Sequence, residues 1–205
     1  MASDSELLHA WRAGDRNAGN ELFQRHFDAV YRFFRNKVDG GVEDLVQRTF
    51  AACVEGRDRF REEASFRTFL FAIAHNLLRE HYRRGRRQPT PVDIDEVAIV
   101  ELGAGPSSVL AARAEEQLLV QALRRIPLGS QVLLELYFWE QWTGAELGRF
   151  LGVPEDTARS RLRRAKKQLE TAIEQLRASP ELIASTLSNL DAWVDGLRPQ
   201  LGVAS

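Results

Sequence analysis

Apolar residues recur at steps of three and four along most of the chain, and this spacing constrains the fold more than any other feature. One such run covers residues 21 to 38, a second covers residues 45 to 54, and a third covers residues 66 to 82. Because a helix turns once every 3.6 residues, this spacing gives each segment one apolar face that can be buried. No stretch shows the sustained alternation of a β-strand. The sequence therefore predicts an all-α protein.

The helical spacing stops between residues 88 and 113. This segment contains proline, glycine and serine together with four acidic residues, a composition that favours turns and an extended chain. We therefore predict two small helical domains joined by a flexible acidic linker and followed by a C-terminal helix. The expected boundaries are 1–87 for the first domain, 88–113 for the linker, 114–176 for the second domain and 177–205 for the C-terminal extension.

The net charge of the chain and the distribution of charge along it lead to different conclusions about a nucleic-acid partner. The 28 Lys and Arg against 29 Asp and Glu give a net charge of −1, which argues against a nucleic-acid partner. However, five arginines fall within residues 79 to 87, and six basic residues fall within residues 159 to 167. The acidic linker offsets these clusters in the total. The distribution therefore favours nucleic-acid binding through two basic segments, with weak binding by the chain alone.

Several classes of protein are excluded by composition. The single cysteine forms no disulfide within the chain, and the four histidines have no pair at the spacing of a helical zinc site. The chain has no glycine-rich phosphate loop and no nucleophile motif. We therefore expect no catalytic residue, no metal and no cofactor. The acidic N-terminal segment and the lack of a long apolar run predict a cytoplasmic protein with no membrane insertion.

Residues 143 to 169 have the spacing of a helix-turn-helix. Thr143 and Glu146 form a capping box at the start of the first helix, and Gly152 provides the left-handed conformation that the turn requires. Pro154 suits the first position of the second helix, where two acidic residues follow it. On that second helix, basic and apolar residues fall on opposite faces. We expect the apolar face to consist of Ala158, Leu162, Ala165 and Leu169.

The basic face of this second helix predicts entry into a DNA major groove. Arginine side chains match guanine edges and phosphates, and a helix held by its apolar face can present them outward. A solvated basic surface is the simpler interpretation of an isolated run of charge. It is disfavoured here because the run follows a capped helix and a glycine turn and has no acid between Arg159 and Gln168.

Taken together, two helical modules, an acidic linker and a C-terminal helix-turn-helix resemble bacterial sigma factors of the extracytoplasmic-function group in the sigma-70 family. The segments LFQRHFDAVYRFFRNKV, EDLVQRTFAACVEG and RDRFREEASFRTFLFAIAHNLLREHYRR resemble sigma region two. The segment ALRRIPLGSQVLLELYFWEQWTGAELGRFLGVPEDTARSRLRRAKKQL resembles region four. The resemblance implies a sigma factor that binds core RNA polymerase and directs promoter recognition, DNA melting and transcription initiation. Arg48 departs from the family pattern, in which an acid is common.

The resemblance also assigns residues to three surfaces. Residues 60 to 65 would shape a pocket for a base flipped out of the duplex, and Asn76 would bind a base edge. The partners implied are the clamp and flap of core RNA polymerase and promoter DNA. An anti-sigma factor is a further candidate partner. The minus-ten set is Arg61, Asn76, Arg79, Tyr82, Arg83 and Arg84; the minus-35 set is Thr157, Arg159, Ser160, Arg163, Arg164 and Lys167; the core-polymerase set is Asp44, Leu45, Gln47 and Phe50.

Two other functions stay open at this level. One is a stand-alone helix-turn-helix regulator whose first domain senses a signal or forms a dimer, and the other is a protein-binding adaptor with no DNA role. The aromatic and arginine-rich segment of residues 60 to 87 favours a sigma factor over both, because a protein that reads only duplex DNA needs no second site for single strands.

The C-terminal extension predicts one more helix. Ser179 and Pro180 suit its start, and Gly196 and Pro199 suit its end. The helix either packs across both modules or takes part in regulation, or it is an additional packing helix of the second module. Its apolar stripe consists of Leu182, Ile183, Thr186, Leu187, Leu190, Trp193, Val194 and Leu197.

Overall fold

The computed structural model describes residues 2–35, 37–85, 93–102, 114–176 and 178–188. These residues form α-helices and short 3-10 turns, which confirms the all-α prediction. None of the helices within these ranges is long and apolar enough to span a bilayer. The helices are α1 (Asp4–Arg12), α2 (Arg16–Arg35), α3 (Val42–Gly56), α4 (Phe66–Gly85), α5 (Ala114–Leu123), α6 (Leu128–Phe138), α7 (Gly144–Leu151), α8 (Glu155–Glu174) and α9 (Pro180–Ser188).

The first module packs α1 to α4 around an aromatic core. Helix α1 begins with a capping box between Ser3 and Glu6 and lies close against α2. A Cβ atom at Gly19 of α2 would lie 2.7 Å from the ring of Trp11, so glycine is needed for this approach. The Trp11 ring then contacts Phe23 edge to face, with centroids 5.2 Å apart. Helix α1 is thus an integral part of the first module.

The second module contains the predicted helix-turn-helix. The capping box of Thr143 and Glu146 is present, and Gly152 ends α7 in the left-handed conformation with φ of 65°. These two predictions are confirmed. Helix α8 begins at Glu155, one residue later than expected, because the extended ψ of 150° at Pro154 makes that residue the cap. The predicted apolar face is buried at Ala158, Leu162, Ala165 and Leu169.

Residues 93–102 of the predicted flexible linker are folded against the second module. They form two 3-10 turns, Ile94–Glu96 and Ile99–Leu102, in which Ile94 and Ile99 are buried. The backbone amide of Leu128 donates to the carbonyl of Val97 over 2.9 Å and ties the linker to the second module. Each buried isoleucine contributes about 1.5–3 kcal/mol. This apolar burial holds the segment in place despite its acidic composition. The other linker residues lie outside the described ranges.

The two modules contact one another through a buried ion pair. The ammonium of Lys37, two residues after α2, binds the Glu135 carboxylate of α6, with side chains 0% and 4% exposed. Lys37 also donates to the carbonyl of Phe33 at 2.8 Å, and the Gln131 amide donates to Glu135 at 2.8 Å. Burial lowers the pKa of Lys37 and raises the pKa of Glu135, while their mutual attraction opposes both shifts. A buried charge pair therefore joins the modules.

The described part of the C-terminal extension packs on the second module. Helix α9 lies against α5 and α8, with Thr186 buried between them. The Ser179 hydroxyl accepts from the amide of Leu182 at 3.2 Å, which confirms the predicted start of the helix. This placement agrees with the interpretation as a packing helix. The remainder of the predicted stripe, Leu190, Trp193, Val194 and Leu197, lies outside the described residues.

Candidate nucleic-acid interface

Helix α8 presents the whole predicted minus-35 set at the surface. Its orientation is fixed by the buried alanines on its opposite face and by close contact with α7. A Cβ atom at Gly148 of α7 would lie 2.9 Å from the carbonyl oxygen of Val153, so glycine permits the tight helix-turn-helix packing. The exposed residues are Thr157, Arg159, Ser160, Arg163, Arg164 and Lys167.

The charge and hydroxyl contacts of Arg159 and Arg163 are made within α8 itself. The Nε atom of Arg159 is 2.9 Å from Oε1 of Glu155, one turn earlier, and Arg163 donates to the Ser160 hydroxyl at 3.0 Å. The hydrogen bond and charge of Glu155 raise the pKa of Arg159. Exposed pairs of this kind are weak because water competes for both partners. These contacts therefore leave the cations of α8 available to another anionic partner.

A cavity of about 390 Å³ widens this basic surface toward the turn between α5 and α6. Arg164 and Lys167 line it from α8, and Arg125 lines it from the turn. Arg125 has no place in the predicted set, because a basic residue in a turn carries no helical pattern that would mark it. The structure thus adds one cation to the α8 surface.

The loop of residues 60 to 65 has a defined shape before α4. The Ser65 hydroxyl accepts from the amide of Thr68 at 3.2 Å and caps the helix. Glu62 adopts a left-handed conformation with φ of 58°, which is uncommon for a residue with a side chain. Phe60 stacks on Phe69 of α4, with centroids 4.5 Å apart. The loop therefore makes a sharp turn beside a pair of aromatic rings.

Four members of the minus-ten set are exposed, and a fifth lies against the linker. Arg61, Asn76, Arg83 and Arg84 face solvent. Arg79 is 29% exposed and lies 3.7 Å from Asp93 and 3.6 Å from Asp95. The linker acids therefore occupy one cation of the predicted DNA surface.

Tyr82, which the resemblance assigns to the DNA surface, lies in the core of the first module. Its ring is 6% exposed, and its hydroxyl donates to the carbonyl of Lys37. Burial raises the pKa of Tyr82 to about 12. Tyr82 follows Ala74 and Leu78 at steps of four, so it lies on the buried stripe of α4 and packs in the core.

The core-polymerase set divides in the same way. Asp44 and Gln47 of α3 are exposed and Phe50 is half-buried, but Leu45 is only 2% exposed. Leu45, which the resemblance assigns to the polymerase-binding surface, lies on the buried face of α3. Phe27 of α2, which the sequence did not single out, is 47% exposed and its ring lies parallel to that of Phe50 at 6.2 Å.

The face of α4 that meets the second module carries both charge and aromatic contacts. Arg67 lies 2.6 Å from a carboxylate oxygen of Glu146 and donates to the carbonyl of Glu140 at 2.8 Å. The guanidinium also lies over the ring of Trp142, 5.2 Å from its centroid. Phe71 contacts that ring from one side, with centroids 5.5 Å apart. This face is therefore covered by α7 and the turn before it.

The linker covers a neighbouring part of α4. His75 lies 2.9 Å from a carboxylate oxygen of Asp95, beside the contact with Arg79. Burial raises the pKa of Asp95, but the hydrogen bond with His75 and the charges of His75 and Arg79 outweigh it and lower that pKa overall. Asp95 is therefore held as a carboxylate against the basic helix.

Comparisons with known proteins match both modules. The sigma-70 region 2 family model matches residues 22–88, and the sigma-70 region 4 family model matches residues 116–169. The ECF RNA polymerase sigma factor SigM of Mycobacterium tuberculosis (strain H37Rv) is 31% identical over 169 residues, which cover 82% of this chain and 83% of that protein. The RNA polymerase sigma factor NccH of Alcaligenes xylosoxydans is 28% identical, with 83% and 95% covered.

Solved structures share the same fold. CnrH, solved in complex with the cytosolic domain of CnrY, superposes with a TM-score of 0.61 at 24% identity and covers 83% of this chain and 97% of its own. The sigma factor RpoE of Bartonella quintana, solved with the anti-sigma factor NepR, superposes with a TM-score of 0.56 at 21% identity and covers 77% and 98%. With both sigma regions matched in order and SigM similar along most of its length, the protein belongs to the extracytoplasmic-function group of the sigma-70 family and acts as an RNA polymerase sigma factor in transcription initiation.

Proposed function

We propose that α8 reads the minus-35 element, that the loop of residues 60 to 65 and the exposed face of α4 bind the melted minus-ten strand, and that α3 binds the clamp of core RNA polymerase. In this division residues 1–87, 114–176 and 177–205 are the two DNA-binding domains and the extension, joined by the linker of residues 88–113. The observation that carries the proposal is that every residue of the minus-35 set is exposed, on the side of α8 opposite its buried face.

On the minus-35 element, α8 combines two kinds of contact. Arg159, Arg163 and Arg164 provide planar guanidinium groups that match the acceptor pair on a guanine edge. Thr157 and Lys167 suit phosphate oxygens, which fix the register of the helix in the groove without reading sequence. Ser160 lies between the arginines and supports the orientation of Arg163 through its 3.0 Å hydrogen bond.

On the minus-ten element, the first module offers a separate site for unpaired bases. The exposed amide of Asn76 carries a donor and an acceptor, which suits the Watson–Crick edge of a flipped base. Arg83 and Arg84 suit the backbone of the melted strand, and Arg61 lies at the tip of the loop. Arg79 joins this set when it leaves the linker acids.

On the polymerase, α2 and α3 offer an apolar centre beside polar groups. Phe27 and Phe50 form the apolar part, and the carboxylate of Asp44 and the amide of Gln47 lie at the surface next to it. Interfaces of this composition combine burial of aromatic rings with specificity from a polar rim. Asp44 lies 3.8 Å from Arg48, a weak contact that a partner's cation can replace.

This proposal leaves the chemistry of RNA synthesis to the polymerase core and assigns no catalytic residue to this chain. It places the protein in the cytoplasm, where that polymerase works. Two structural neighbours were solved with the cytosolic domain of CnrY and with the anti-sigma factor NepR. By that analogy we also propose an anti-sigma factor as a partner of this chain.

Run-off transcription tests the proposal. Core RNA polymerase is combined with the full chain and with a pool of duplex templates that carry a randomised upstream region, and the transcribed templates are sequenced. We expect enrichment of a two-part promoter only when the chain is present. Asp44→Arg should weaken core binding at least tenfold, since it reverses a charge at the proposed interface, while Glu55→Arg at the end of α3 should not. Unchanged core binding by Asp44→Arg together with no enriched promoter would contradict the proposal.

A further inference from the structure

Helix α1 precedes the part of the chain that matches sigma region two, yet its last residue reaches the minus-ten loop. The Arg12 side chain donates to the carbonyl of Arg57 through Nε at 3.0 Å and through Nη2 at 2.6 Å. The same guanidinium donates to the carbonyl of Phe60 and binds the carboxylate of Glu62. One side chain of α1 thus holds three points of the segment that leads into the loop.

The contacts of Arg12 satisfy backbone carbonyl groups after the end of α3. Carbonyl groups at the C-terminal end of a helix have no partner within that helix, and Arg57 lies at the end of α3. A guanidinium group suits this position because it carries several donors in a rigid plane and a charge that the helix end favours. Hydrogen bonds from a charged donor are also stronger than neutral ones.

Other residues of α1 support the same anchor. The imidazole of His9 lies 3.2 Å from the Glu62 carboxylate, and the Ser5 hydroxyl donates to it at 3.3 Å. The guanidinium of Arg57 lies over the ring of Trp11, 4.8 Å from its centroid. These contacts account for the left-handed conformation of Glu62, because the anchored carboxylate compensates the unfavourable backbone angle.

The loop residues fall into two groups. Phe60 and Glu62 are partly buried, and they contact α4 and α1 respectively. Arg61 and Glu63 are exposed. The exposed group is the one that can face DNA. The orientation of the exposed residues depends on the contacts that hold Phe60 and Glu62 inward. Arg12 makes two of these contacts, with the carbonyl of Phe60 and the carboxylate of Glu62.

We propose that Arg12 is a positioning residue for minus-ten recognition: it holds the loop of residues 60 to 65 in the shape that receives a flipped base, so that α1 contributes to promoter specificity without touching DNA. This inference rests on the proposed role of the loop. Because a flipped base is selected by the shape of its pocket, a loosened loop loses discrimination between bases before it loses binding to the polymerase.

The test compares Arg12→Ala and Arg12→Lys with a matched control, Arg25→Ala. Arg25 binds Asp4 at 2.7 Å and Glu21 at 3.0 Å, so it ties α1 to α2 without reaching the loop. Each full-length variant is combined with core RNA polymerase and the promoter that the wild-type chain selects, with the minus-ten positions randomised. The readouts are base preference at each position, affinity for the core and the midpoint of thermal unfolding.

We expect Arg12→Ala to reduce base preference at one minus-ten position about tenfold while core affinity stays unchanged. Arg12→Lys keeps the charge but not the planar set of donors, so it should restore part of the preference. Arg25→Ala should retain the wild-type preference. A lower unfolding midpoint for Arg12→Ala with unchanged base preference would overturn the inference, since Arg12 would then act on stability alone.

Variants of the loop surface separate this inference from the proposed function. If Arg61→Ala and Asn76→Ala change minus-ten preference and Arg12→Ala does not, the positioning role is wrong and the proposed site stands. If none of the three changes the preference, the proposed minus-ten site itself is wrong.

Discussion

The two helices that carry the predicted DNA residues, α4 and α8, are each 20 residues long, yet their cations have different surroundings. On α8, Arg159 pairs with Glu155 of the same helix, and the basic face is open. On α4, Arg67 pairs with Glu146 of the second module, and Arg79 lies against Asp95 of the linker. The surface proposed to read the minus-35 element is thus exposed, whereas the helix proposed to bind the minus-ten element is partly covered by acids from elsewhere in the chain.

This difference explains how a chain of net charge −1 can carry the basic surfaces that we propose bind DNA. Some of its acids lie directly on the cations of α4, where they lower the attraction of that helix for phosphate. We therefore expect the free chain to bind promoter DNA weakly through its first module. Binding to core RNA polymerase would then expose α4 by separating the modules, and the predictions below test this view.

The largest expected effect comes from the buried pair between the modules. Glu135→Ala leaves the Lys37 ammonium without its carboxylate, and breaking a buried pair in this way costs about 3–5 kcal/mol. Separation of the modules relieves that cost because Lys37 then reaches water. We expect a larger radius of gyration in small-angle X-ray scattering and stronger binding of single-stranded minus-ten DNA by the free chain.

Two further variants serve as controls for that experiment. Lys37→Met combined with Glu135→Leu replaces the pair by apolar side chains, so the closed arrangement should return. Glu170→Ala removes an exposed acid from α8 and should leave the scattering unchanged. A radius of gyration for Glu135→Ala equal to that of the wild-type chain would show that this pair does not hold the modules together.

A smaller effect, on DNA affinity, is expected from the exposed basic face of α8. Arg163→Ala should weaken binding to the selected minus-35 element by about 1–3 kcal/mol, since a guanidinium contact with a guanine edge is worth that much. Arg161→Ala changes the same charge on the same helix at a position outside the predicted set. Fluorescence anisotropy with duplex DNA measures both variants as holoenzyme. Equal losses of DNA affinity for the two variants would contradict the proposal that the face of α8 carrying Arg163 reads the DNA.

The smallest effect concerns the linker and depends on pH. The pKa of Asp95 is lowered from its ordinary value of 3.8 in the folded chain, so its contacts with His75 and Arg79 stabilise the fold above that value. This contribution is lost as the pH falls through the lowered pKa. We expect wild-type and Asp95→Asn chains to differ in unfolding free energy at pH 6 and to converge once the pH falls below the lowered pKa of Asp95. A difference that persists in acid would contradict the charge contact.

Much of the helical architecture was predictable because its signals are local. The capping box of Thr143, the left-handed Gly152 and the buried face of α8 each depend on residues within two turns of one another. Two assignments that came from family resemblance differ from what the helical spacing itself indicates. Leu45 and Tyr82 were assigned to surfaces by family resemblance, but each lies on the buried side of its helix.

The candidate sites were predictable only in part. The minus-35 surface depends on one helix face, which the 3.6-residue period defines. The anchor of the minus-ten loop was not predictable, because Arg12 lies 45 residues from Arg57 and 50 residues from Glu62. No pattern in the sequence indicates that a cation at the end of α1 binds carbonyls at the end of α3.

The sequence by itself determined the all-α class, the capping box of Thr143, the helix-turn-helix and the two basic segments, since each depends on neighbours along the chain. Only the tertiary structure decided which cations are covered and which are open. The contact between Lys37 and Glu135 joins residues 98 positions apart, and the linker docks through two buried isoleucines. Such pairings depend on how the modules pack, because burial and distance set the strength of a charge contact more than residue type does.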